Sequence, residues 1–83
     1  MSKVELGVTG QKVLVSDVVQ GEERVANSGI VVSISKDIVD RRFVLFQKIY
    51  FGWHNKIYFN GKYYSSVELN QIVAEEFPVE EPE

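Results

Sequence analysis

Within an 83-residue chain that holds one histidine and no cysteine, His54 is the first candidate for chemistry. A catalytic histidine needs a serine or a carboxylate placed to share its proton. No nucleophile-elbow motif, second histidine or motif-spaced carboxylate pair accompanies it, so His54 is read as a structural or solvent-facing residue and the chain is not expected to be an enzyme. The 6 glycines are scattered and form neither G-x-G-x-x-G nor a phosphate loop, which argues against nucleotide chemistry. With Cys 0, disulfides, thiolate chemistry and cysteine-based zinc sites are excluded, and neither a metal nor any other cofactor is expected.

The second group that could act is "VLFQKIYFGWHNKIYFNGKYY", Val44 to Tyr64, rich in aromatic rings and carrying Lys48, Lys56 and Lys62. Outward-facing rings beside lysines stack single-stranded bases. Ile57 and Phe59 alternate with Lys56, Tyr58 and Asn60, however, and this predicts that both are mostly buried, with the rings serving core or subunit packing. Nucleic acid is therefore not an expected partner. Arg41-Arg42 is the nearest approach to a basic patch and falls short of the stripe that DNA binding needs.

The elements that must carry these residues read as short strands. Val4-Glu5-Leu6 alternates, Lys12 to Val15 is β-branched, and Gly29 to Ser35 alternates after an apolar start. Gln20 to Gly29 is polar and glycine-bounded, the pattern of an exposed loop. "SKDIVDRR" makes a further connection, and Phe43 to Phe46 is a candidate buried strand. Asn60-Gly61 predicts a two-residue hairpin turn, because a type I′ turn needs positive φ at both positions.

After the turn two readings compete. Ser65 and Glu68 have capping-box spacing, and Leu69, Ile72, Val73 and Phe77 share a helical face, which allows a helix from about Ser66 to Phe77. Alternatively the strand runs on through Val67 and leaves only a short turn near Asn70 to Ala74.

One domain is expected over residues 1–77, with roughly 60% of the unfolded surface buried, followed by an acidic tail over 78–83. The end "EEFPVEEPE" holds five glutamates and no basic residue. Setting these aside from the 12 acidic residues leaves 7 against 9 basic ones, so the rest of the chain is near +2. No apolar run approaches the roughly 18 to 20 residues of a membrane span, and "MSKVELGVTG" lacks the apolar centre of a signal peptide. A soluble, cytoplasmic protein with no membrane partner is expected.

Three segments resemble the GroES-type co-chaperonins, the small partners of ring chaperonins. Gly10 to Val32, "GQKVLVSDVVQGEERVANSGIVV", is similar to that family's first strand, mobile loop and apolar "G-G-I-V-L" motif. "FVLFQK" resembles "V-L-F-P-K", and Asn60 to Ala74 resembles "D-G-K-E-Y" together with the closing "D-I-L-A". The resemblance implies an all-β fold, a small β-barrel with a short C-terminal helical turn. It implies a ring-forming homo-oligomer that caps a ring chaperonin and assists protein folding. On it, Gly29, Ile30, Val31 and Val32 are the chaperonin-binding residues, and Val4, Leu6, Ile72, Val73 and Ala74 form the subunit interface. The family's roof hairpin has no counterpart, since only Ser33 to Arg42 is available. In a second alignment "SGIVVSISKD" corresponds to a later core strand, "G-x-V-V-A-V-G", and the mobile loop is the missing part. A monomeric interaction module then becomes the alternative function, with a single-strand nucleic-acid binder the third.

Overall fold

The structure, a computed structural model, describes residues 5–38 and 44–76. They form one antiparallel sheet of six strands: β1 (Lys12–Val19), β2 (Asn27–Ile34), β3 (Lys48–Phe51), β4 (Asn55–Phe59), β5 (Lys62–Glu68) and β6 (Ile72–Glu75). A single 3-10 turn, Leu69–Gln71, joins β5 to β6. The strand order is β4-β5-β1-β2-β3-β6. The all-β architecture is as expected. The short C-terminal turn lies at Leu69–Gln71, so Ile72 to Ala74 of the turn expected near Asn70 to Ala74 are strand instead. Among the described residues the sheet does not close into a barrel, and β4 and β6 are its edges.

One face of the sheet makes the core. Val13 and Val15 of β1, Val31 of β2, Ile49 and Phe51 of β3 and Val67 of β5 are fully buried, and Ile38 packs with them from the connection after β2. These are period-two positions, so the alternation of β-branched and aromatic residues sets the inward face directly. Gly29 belongs to that face. A Cβ there would meet Val15 Cβ at 3.2 Å and Phe51 Cε1 at 3.3 Å, so the absence of a side chain lets three strands close over Phe51.

Several expectations fail here, each for a local reason. Gln20 to Gly29 is not all loop. β2 begins at Asn27, whose side chain accepts from Gly21 N–H at 2.8 Å and donates to the Gly52 carbonyl at 2.7 Å, so the exposed segment ends at Ala26. Phe43 to Phe46 is not a buried strand. Val44, Leu45 and Phe46 are exposed in a turn with Phe46 at φ 68°, while the inward alternation passes to Ile49 and Phe51 of β3. Phe43 lies outside the described residues. The short strand expected at Val4 to Leu6 is not formed by Glu5 and Leu6, which lie outside the six strands. Val4 and the 78–83 tail lie outside the described residues.

The Asn60-Gly61 turn forms as expected, with φ of 50° and 77° and Phe59 opposite Lys62. Ile57 and Phe59 are only half-buried, however. β1 pairs with β5 over Ser65 to Glu68, so the distal half of the β4–β5 hairpin projects beyond the core and has no β1 strand beside it. Between the two C-terminal readings, the strand prevails over the longer helix. Ser65 to Glu68 pair with β1, Val67 enters the core, and Leu69 N–H donates to the Gln11 carbonyl at 2.9 Å. Those long-range bonds and the burial of Val67 outweigh a capping box that operates through local contacts alone.

Candidate protein-interaction surfaces

The expected chaperonin-contacting residues occupy the middle of the sheet. Ile30 pairs with Ser16 of β1 and Lys48 of β3, and Val31 pairs with Val15. Val31 N–H donates to the Gln47 carbonyl at 2.9 Å, and the Val31 side chain is 0% exposed. Gly29 is buried, while Ile30 and Val32 are half-buried on the opposite face. Val32 is the extra residue of a bulge, since Leu14 faces Ser33 and Val15 faces Val31. The triplet is thus part of a sheet strand with Val31 in the core, and not the end of an exposed loop.

The expected interface residues do not form one patch. Leu6 lines a shallow depression with Leu14, Val32 and Phe59 on the outer face of the sheet. Ile72, Val73 and Ala74 lie in β6 at the far edge, where Val73 is 68% exposed and Ile72 packs against the core. β6 is held inward by β3 through Ile49, Tyr50 and Phe51, and among the described residues no strand pairs with its other side. Glu76 fastens its end: Glu76 N–H donates to the Lys48 carbonyl at 2.8 Å, and its carboxylate accepts from the Tyr50 hydroxyl. That acceptor holds the Tyr50 phenol above its ordinary pKa.

A second opening lies where β1 and β5 part. Past Val15, β1 turns away through a bulge between Ser16 and Val19 with Asp17 at φ 53°, a conformation that aspartate tolerates better than most residues. β5 continues straight into the hairpin. The result is a cleft of about 490 Å³ between Asp17 and Val18 on one wall and His54, Lys56, Lys62 and Tyr63 on the other.

His54 is positioned in this cleft by Ser65, with Nδ1 and Oγ 2.9 Å apart, and by the edge of the Phe51 ring at 5.2 Å. Partial burial lowers the His54 pKa, and the Lys56 ammonium lowers it further, so the ring is neutral at pH 7. Ser65 is 2% exposed, which leaves its hydroxyl a partner for the imidazole and not a nucleophile open to substrate. Lys56 Nζ lies 5.7 Å from the Tyr63 ring centre and Lys62 Nζ 5.6 Å from that of Tyr64. The Tyr58 and Tyr63 rings lie 4.8 Å apart and remain 63% and 62% exposed. Of the rings expected to serve core or subunit packing, Phe51 lies in the core, whereas Trp53, Tyr58 and Tyr63 face outward and take no part in it.

Among the described residues no cluster of His, Asp and Glu could hold a metal, and no helix is long and apolar enough to cross a membrane. Compared with known proteins, the chain matches no family model and no curated protein.

Sequence reasoning missed the cleft, though two signals bear on it. Asn60-Gly61 fixes a hairpin longer than its neighbouring strand can follow, and "SDVV" places a turn-tolerant aspartate inside a β-branched run.

Proposed function

We propose that this chain is a GroES-like protein-interaction module that acts by strand addition at open edges of its sheet and has no catalytic role. The observation that carries this reading is the position of β2. Capping a chaperonin with Ile30, Val31 and Val32 would require pulling out a strand bonded on both sides and emptying the core site of Val31. Open edges need no such opening. They present unpaired N–H and C=O groups to an extended segment, whose main chain supplies affinity while alternate side chains supply specificity.

A second reading, the ring-forming co-chaperonin, is favoured by one feature. β6 carries Ile72, Val73 and Ala74 on an open edge, the positions that the resemblance assigns to contact between subunits. Pairing there would cover Val73 and satisfy the edge.

Solution mass together with co-elution on a ring chaperonin in the presence of nucleotide distinguishes the two. The module reading predicts a monomer or small oligomer that elutes apart from the chaperonin. A ring-sized species that co-elutes in a nucleotide-dependent way would overturn it in favour of the co-chaperonin.

A further inference from the structure

We infer that the cleft between β1 and β5 receives the acidic C-terminal segment, residues 77–83, of a second copy of this chain as an added strand. The inference rests on the strand-addition reading and names the partner of one edge.

The acceptor is a short free strand edge. In a two-residue type I′ hairpin the residues flanking the turn, Phe59 and Lys62, form the hydrogen-bonded pair. By alternation Tyr58 and Tyr63 do not bond each other, so the N–H and C=O of Tyr63 point away from β4. They point into the cleft, because β1 pairs with β5 only as far as Ser65 and then departs. Among the described residues no strand pairs with Lys62 to Tyr64 on that side.

Charge selects the occupant. Among the described residues neither Lys56 nor Lys62 has a carboxylate partner; each lies near a tyrosine ring. Lys56 stands on the face of the hairpin that carries Tyr63, and Lys62 on the face that carries Tyr64, so each face of the edge has one ammonium group. The tail reads Phe77-Pro78-Val79-Glu80-Glu81-Pro82-Glu83. In an extended strand, adjacent Glu80 and Glu81 project to opposite faces, one toward each lysine. Asp17 on the far wall keeps the glutamates on the lysine side.

The prolines fit the same register. Pro78 and Pro82 share parity, so when residues 77, 79, 81 and 83 turn their N–H groups toward β5, both prolines face outward where no ladder donor is needed. There they also block a further strand. Main-chain pairing favours a peptide over a nucleic-acid strand, which has no amide N–H and C=O groups to add to the ladder.

The donor is a second copy because of reach. β6 leaves the sheet at Glu76, beside Lys48, and β3, β2 and β1 lie between it and the cleft. Four strand spacings of about 4.8 Å make roughly 19 Å along the sheet. Glu80 and Glu81 stand four and five residues past Glu76 and so reach at most about 14 to 18 Å, short of the lysines of the same copy.

The test uses two full-length variants, Lys56→Glu/Lys62→Glu in the cleft and Glu80→Lys/Glu81→Lys in the tail, with sedimentation mass and the exchange rate of the Tyr63 amide as readouts. Wild type should self-associate as concentration rises, with slowing Tyr63 exchange, and 0.5 M salt should weaken it. Each variant alone should associate about tenfold or more weakly, in line with two lost charge pairs. An equimolar mixture should recover association, since a basic tail then meets an acidic cleft. A wild type that stays monomeric, association indifferent to both swaps, Tyr63 protection that is independent of concentration, or Tyr63 protection that appears only with an added single-stranded oligonucleotide would each overturn the inference. Chaperonin co-elution, the test of the underlying reading, is scored separately and does not depend on either swap.

Discussion

His54 links local geometry to a measurable property. Burial and the Lys56 charge lower its pKa in the folded chain, so the unfolded chain binds a proton first as pH falls. Its contribution to stability is complete above the ordinary histidine pKa of about 6.5 and is lost as pH drops below that value toward the folded pKa. His54→Gln keeps a group able to bond Ser65 but cannot titrate. The melting temperature of wild type should therefore fall more steeply between pH 7.5 and 5.5 than that of the variant; equal slopes would remove the assigned role. Gly61, at φ 77°, offers a second check at this scale. Open space surrounds the position where its Cβ would stand, so Gly61→Val tests backbone conformation without a clash. It should cost about 1 kcal/mol or more in denaturant unfolding through the positive-φ penalty.

At the scale of elements, β2 decides what the sheet can do. Val31→Asp would place an unpaired charge at a fully buried position between Val15 and the strand β3. Such a charge costs several kcal/mol against a typical total of about 5 to 15, so the variant should lose its cooperative thermal transition. A variant that melts normally would show that the triplet is not core. Strands whose apolar residues alternate with period two were legible from the residues: Val13 and Val15 set the β1 face, and Asn60-Gly61 set the hairpin. What stayed hidden depends on partners distant in sequence. "SGIVV" reads by composition as an ordinary strand, yet its place after a polar loop also fits a loop-borne peptide, and the flanking pairing with β1 and β3 decides for the strand. "FVLF" reads as a strand by composition, yet Phe46 N–H and the Gln47 carbonyl both bond Val31, which fixes a turn there and hands the inward positions to Ile49 and Phe51. The cleft was hidden for a similar reason, because it arises where one strand bulges away and its neighbour does not.

The whole molecule is an open six-stranded sheet whose central strand β2 is committed to the core. The molecule is elongated, with principal extents of 50 × 32 × 22 Å. Such a shape exposes strand edges at the expense of core volume, which suits contact through main-chain pairing more than a deep pocket for chemistry. The most direct measurement of the central claim is amide hydrogen exchange across Asn27 to Ile34 in the free chain and again with a ring chaperonin and nucleotide present. The account predicts slow exchange at Val31 in the free chain, near the rate set by global unfolding, and no change on adding the chaperonin. Fast exchange over Gly29 to Val32 in the free chain, slowed by the chaperonin, would contradict it.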